Sequence, residues 1–114
     1  MQGSGLPKKC LLRKNGEFNT VYRQGKRLYG RGFGLVYLTN RCGYNRIGIS
    51  VSRKVKGAVV RNRIKRIFKE SFRLNRGLYP PEADIVVTVR PDFSLQSPQH
   101  IDQAVKSLFR LESV

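Results

Sequence analysis

The sequence predicts an α+β fold, one sheet with helices packed on it, in the order helix, strands, basic helix, strand, helix. Three observations carry this. Apolar residues recur at helical spacing in three stretches, β-branched or alternating runs lie between them, and breaks rich in Gly, Pro and Asn punctuate the chain. With 114 residues, the chain is long enough for one domain with its own core. We assign that domain to residues 11–114, preceded by a flexible N-terminal segment, residues 1–10, of turn composition.

Each element has its own warrant. In "RKNGEFNTVYRQGKR", Phe18, Val21 and Tyr22 fall at i, i+3 and i+4, which predicts a short amphipathic helix with Asn15 as cap and Gly25 as stop. "RLYGR" reads as a short strand. "GFGLVYLT" (Gly32–Thr39) is rich in β-formers, and "RIGISVS" (Arg46–Ser52) alternates strictly. The turn chemistry of "NRCGYN" between them predicts an antiparallel hairpin. After the basic helix, "NRGLYPPEA" breaks structure, and the β-branched run "DIVVTVRP" suits a buried strand. In "SPQHIDQAVKSLFR", Ser97 is the N-cap and Pro98 the first helical residue. Its Ile101, Ala104, Val105, Leu108 and Phe109 share one core-facing stripe.

Charge narrows the function. Lys and Arg number 23 against seven Asp and Glu, a formal net charge of +16. Self-repulsion on that scale calls for a counter-charged partner, nucleic acid before anionic membrane. No apolar run approaches the roughly 20 residues that span a bilayer. "MQGSGLPKK" lacks the apolar region of a secretory signal, and Cys10 and Cys42 lack CxxC spacing and read as free thiols of a reducing compartment. The expectation is a cytoplasmic polyanion binder.

The charge concentrates between Val51 and Arg73, where nine cations face one acid, Glu70. At about 100° per residue, Val60, Ile64, Ile67, Ser71 and Leu74 cluster within about 40° of one direction, with Phe68 and Phe72 at the margin. Asn62, Lys65, Arg66, Lys69 and Arg73 fall on the opposite side, and Arg61 and Arg63 flank the apolar stripe. An ordinary solvated face would place Glu four residues before its lysines. Here Arg61–Lys65, Lys65–Lys69 and Lys69–Arg73 repeat like charge at i, i+4, so local stability is given up for a single-sign field. Arg forks in "RNRIKR" suit phosphates or base edges, and Arg53 and Lys54 extend the patch where the strand ends. Gly57 lets that turn adopt positive φ.

A second surface is ambiguous from composition. Gly48, Ser50 and Ser52 make a strand face small enough for close backbone approach, or simply a solvent-facing one. Phe18 and Tyr22, with Arg23, Lys26 and Arg27 nearby, suit either a core or the stacking of single-stranded bases. No catalytic pattern accompanies them. The seven acids are scattered, His100 reads as a surface residue, and there is neither zinc spacing nor a phosphate-cradling Gly loop.

"RIGISVSRKVKGAVVRNRIKRIFKESFR", with its "RNR" at Arg61, Asn62 and Arg63, resembles the signature region of the bacterial ribonuclease P protein component. "LRKNGEFNTVYRQGKR", "DIVVTVRP" and "LFR" extend the resemblance from Leu11 over almost the whole chain. It implies a two-layer α/β sandwich of order αβββαβα with a left-handed βαβ crossover, an exception to a strong rule. It also implies a subunit of a tRNA-processing endoribonuclease, a hydrolase whose RNA subunit is the catalyst and holds the Mg²⁺. By carry-over, Arg53, Lys54, Arg61, Asn62, Arg63, Lys65, Arg66 and Lys69 face that RNA, one protein per RNA. Phe18, Tyr22, Arg23 and Ser50 grip the single-stranded 5′ leader of precursor tRNA. Tyr22 stands where some members carry Phe, and keeps a π-face. The alternative is a ribosomal-protein-like RNA-binding domain without a role in cleavage.

Overall fold

The structure is a computed structural model and describes residues 6–113. Its elements run α1 (Asn15–Gln24), β1 (Lys26–Tyr29), β2 (Phe33–Thr39), β3 (Arg46–Val51), α2 (Ala58–Leu74), β4 (Ala83–Val89) and α3 (Pro98–Ser113), the expected αβββαβα order. Short 3₁₀ turns at Lys8–Cys10 and Arg76–Leu78 precede α1 and β4.

The expected hairpin between β2 and β3 does not form. The sheet order is β1-β2-β4-β3, with β4 antiparallel to β2 and parallel to β3. The reason lies in β4 itself, whose Ile85, Val86 and Val87 are fully buried and thus need cover on both faces. Only a central position supplies that cover. The connection Asn40–Asn45 therefore spans β4 instead of turning tightly. It is pinned there by Asn40, whose N–H donates to Glu82 O (2.8 Å) and whose Nδ2 donates to Asp84 Oδ1 (2.8 Å). At its far end Arg76 Nη2 donates to Asn45 O (2.7 Å).

Strand alternation then sorts the side chains. Phe33, Leu35, Ile47, Ile85, Val87 and Val89 meet α2 and α3 in the main core. Val36 and Val86 point to the opposite face, where they meet Val21 of α1 and Leu12. The sandwich of sheet and α2/α3 thus carries α1 on its other side.

Within α2 the buried residues are Ile64, Ile67, Phe68, Ser71 and Phe72. Val60 and Leu74, expected in the same stripe, are 39% and 54% exposed because the helix ends overhang its packing partners. Gly57 has φ of 91° at the start of α2, as the turn requires. Ser97 caps α3, its Oγ accepting from the His100 N–H (3.3 Å). At α1, Asn15 is the first helical residue and not the cap. Lys14 holds the extended flanking position, and Glu17 Oε1 accepts the N–H groups of Arg13 (3.1 Å) and Lys14 (3.2 Å).

Ordered structure begins ahead of Leu11. Cys10 is buried, and Leu12 N–H donates to Ile47 O (2.8 Å), so the entering segment runs along the β3 edge. Residues 1–5 of the expected flexible segment lie outside the described residues. Cys10 and Cys42 are both free thiols. Among the described residues no helix is long and apolar enough to cross a membrane.

Candidate nucleic-acid interface

The overhang of α2 and the β3–α2 turn set out the basic patch. Arg53 and Lys54 are exposed in the turn, where Lys54 N–H donates to Ser52 Oγ (3.2 Å). Arg61 Nη1 donates to Val55 O (2.8 Å), so Arg61 braces the turn as well as charging it. Arg63 Nη1 reaches Gln96 Oε1 (3.1 Å), on the segment leading into α3. The two arginines of "RNR" therefore spread to different sides of the helix. Asn62 between them lines a groove with Lys65, Arg66, Lys69, Glu70 and Arg73, closed on its far side by Leu6 and Leu11. Among the described residues only Arg73 is neutralised there, by a two-pronged pair to Glu70 (2.9 and 2.8 Å). That pairing holds the Glu70 carboxyl below its ordinary value.

A second cleft lies across the β3 edge, between α1 and α2. It is lined by Arg13, Phe18, Gly48 and Ile49, together with Leu11, Lys65 and Lys69 of the first groove. Lys65 and Lys69 thus belong to both. Gly48 is what lets Phe18 in, since a Cβ there would stand 2.5 Å from Phe18 Cζ. Phe18 and Tyr22 are half-buried, and Ser50 is exposed on the same sheet face as Gly48. Arg23 is exposed but falls about 200° around α1 from the buried Val21, so it points away from the sheet and outside the cleft.

The orientation of α1 has an ionic cause. Arg46 donates through Nε and Nη2 to Asp84 (2.8 and 2.7 Å) and through Nη1 to Glu17 (3.3 Å). Burial alone would raise the Glu17 carboxyl. The N–H groups of Arg13 and Lys14, with the Arg46 charge, bring it below its ordinary value. Glu17 thus tethers the start of α1 to β3 on one flank and leaves Phe18 and Tyr22 on the other. Most acids are consumed in this way. Asp102 accepts from Ser71 and Asn75, and Asp92 lies 3.7 Å from Arg90. Among the described residues no group of three or more His, Cys, Asp or Glu is placed to hold a metal. The patch can therefore neutralise phosphates, and the cleft can stack bases.

Sequence reasoning missed Arg13 and Leu11, because only the non-local pairing of Leu12 with Ile47 brings them to the cleft. It also missed Arg46, Arg76 and Arg90 as structural cations, since their partners are 31 to 60 residues away.

The family model described as Ribonuclease P matches residues 6–111. A ribonuclease P protein component from Desulfotalea psychrophila is 56% identical over 108 residues, covering 95% of this chain and 90% of that protein. One from Alkaliphilus metalliredigens is 39% identical over 99 residues, 87% of this chain and 89% of the relative. The solved RNase P protein of Staphylococcus aureus superposes with a TM-score of 0.76 at 28% identity, over 92% of this chain and 96% of that one. That of Thermotoga maritima gives 0.75 at 33% identity, over 87% and 94%. With sequence, motif and fold in agreement over nearly its whole length, the chain belongs to the ribonuclease P protein component family.

Proposed function

We propose that this chain is the protein subunit of a ribonucleoprotein that removes the 5′ leader from precursor tRNA in the bacterial cytoplasm. The outer face of α2, with Arg53, Lys54, Arg61, Asn62, Arg63, Lys65, Arg66 and Lys69, docks on the catalytic RNA, one protein per RNA. The cleft between α1 and β3, with Phe18, Tyr22 and Ser50, holds the single-stranded leader. Arg23 contributes long-range charge rather than contact.

The observation that carries this reading is the double membership of Lys65 and Lys69, which line both the α2 groove and the α1–β3 cleft. Two RNA segments brought to these surfaces would crowd their phosphates along one helix ridge. Unscreened cations there lower the cost of that crowding and release counterions, by about 0.7 log unit of affinity per log unit of salt for each single-strand phosphate. In this reading the Mg²⁺ and the hydrolytic chemistry belong to the RNA subunit, and the engagement of Glu17, Glu70, Asp84 and Asp102 in internal bonds supports it.

The test is cleavage of a 5′-labelled precursor tRNA at low Mg²⁺ by a bacterial ribonuclease P RNA, with and without this protein, and by the protein alone. We expect cleavage with both present and none with the protein alone. Cleavage by the protein alone would move the chemistry onto the chain. No stimulation at any Mg²⁺ concentration would favour an RNA-binding domain without a role in cleavage.

A further inference from the structure

Four residues form an unbroken row across the sheet. Tyr29 of β1 is opposite Gly34 of β2, Gly34 is opposite Thr88 of β4, and Thr88 is opposite Ser50 of β3. All four lie on the α1 side, because they alternate with Leu28, Leu35, Val87 and Ile49 of the main core. Helix α1 covers the adjacent row, at Val36, Val86 and Gly48, and stops short of this one. What remains is a shelf beside α1, about 14 Å long at three strand spacings, with Ser50 exposed, Thr88 half-buried and Gly34 buried under the Thr88 and Tyr29 side chains. It begins at Ser50 and ends at an aromatic ring that is 73% exposed.

The turn that follows it is fastened. Arg90, one residue beyond β4, donates from its N–H to Gly32 O (2.8 Å) and from Nη2 to Gly30 O (2.6 Å). Both bonds fasten the β1–β2 turn to the end of the central strand, and Tyr29 immediately precedes that turn. Its Cδ1 stands 3.9 Å from where a Gly34 Cβ would be, so the ring flanks the shelf instead of folding into the core. An exposed tyrosine on an anchored edge strand, at the end of this shelf on a +16 protein, matches the way single strands are stacked and tracked.

We propose that Tyr29 is the distal stacking platform of the single-strand track. A leader passing Phe18 and Ser50 crosses Thr88 and stacks one base on the Tyr29 ring. This rests on the leader reading above and adds a residue that sets how much of the leader is sensed.

The experiment uses the holoenzyme reconstituted with a bacterial ribonuclease P RNA and precursor tRNAs whose leaders are lengthened one nucleotide at a time. Affinity is measured for the unaltered protein and for Tyr29→Ala, Tyr29→Phe and Phe18→Ala. We expect Tyr29→Ala to bind the shortest leaders normally and to lose about tenfold once the leader is long enough to cross the shelf, with Tyr29→Phe restoring it. If Phe18→Ala weakens leader-bearing substrate while Tyr29→Ala has no effect at any length, the platform is overturned and the cleft reading stands. If neither variant changes the preference for precursor over mature tRNA, both fall. A Tyr29→Ala loss independent of leader length also overturns the platform, since it would place Tyr29 against another part of the RNA.

Discussion

The ring of Phe18 fills the space in which any side chain at residue 48 would begin. A Cβ on Gly48 would stand 2.5 Å from Phe18 Cζ and 3.0 Å from its Cε2, with Leu12 Cβ also at 3.0 Å. Gly48→Ala should therefore lift the ring from β3. We expect a loss of about 1–3 kcal/mol of stability, as in other overpacked sites, and a weaker preference for precursor over mature tRNA. Phe18→Ala on the same background removes the main clash, so the double variant should be more stable than the two single losses added together predict. Urea denaturation of the four proteins checks this, and strict additivity would mean that ring and glycine are energetically independent.

Lys65 and Lys69 stand on the ridge between the two grooves, whereas Phe18 lines only the cleft. Lys65→Ala should weaken both docking to the RNA subunit and binding of leader-bearing substrate. Phe18→Ala should weaken only the second. Binding assays on RNA subunit, precursor tRNA and mature tRNA separate the two patterns. An unchanged affinity of Lys65→Ala for the RNA subunit would remove the shared-ridge explanation.

Glu70 is the one acid inside the α2 groove, and its pair with Arg73 removes one cation from the field. Glu70→Gln should free Arg73 for a phosphate. We expect tighter binding to the RNA subunit at low salt and a salt dependence steeper by about 0.7–0.9 log unit per log unit of salt. Titrations at several salt concentrations measure that slope directly. An unchanged slope would mean that the groove does not meet phosphate at Arg73.

The reach of sequence reasoning here follows the range of the interactions. Helix α3 was legible in full, because its apolar stripe and the Ser97–Pro98 start are local. The buried side of α2 was legible only in part: Ile64, Ile67 and Ser71 are buried as expected, but Phe68 and Phe72, placed at its margin, are fully buried, while Val60 and Leu74 are exposed. Strand pairing was not legible. The turn residues of Asn40–Asn45 fit a hairpin, and only the burial of Ile85, Val86 and Val87 on both faces forces β4 between β2 and β3. The site divides in the same way. The cations of α2 could be read from helical periodicity. The small-residue face at Gly48 and Ser50 could be read from alternation. Its partnership with Phe18, and the removal of Arg23 from the cleft, depend on how α1 lies across the sheet.

Ser71 sat in the expected apolar stripe without a reason for its hydroxyl, and the structure supplies one. Its Oγ donates to Asp102 Oδ1 (2.5 Å) and lies 2.8 Å from Tyr79 OH. A carboxylate can only accept, so the serine donates to Asp102 and the tyrosine donates to the serine. The chain of bonds ties α2 to α3 and to the segment entering β4. Burial above all, with the Asp102 charge beside it, raises the Tyr79 hydroxyl well above its ordinary value. A folded-state value above the unfolded one, near 10, means that the unfolded chain releases this proton first as pH rises. The stabilisation is therefore complete below about pH 10 and is lost progressively above it. Lysines also discharge in that range and relieve self-repulsion, so the comparison must be with Tyr79→Phe, which keeps Ser71 bonded to Asp102. We expect Tyr79→Phe to cost about 0.5–1.5 kcal/mol at neutral pH and to be the less pH-sensitive protein above pH 10. Ser71→Ala, which takes the partner from Tyr79 OH and from Asp102 Oδ1 while Asn75 still donates to Oδ2, should cost about 1–3 kcal/mol. Urea denaturation across the alkaline range measures all three, and parallel pH profiles for the native protein and Tyr79→Phe would show that the buried hydroxyl carries none of this dependence.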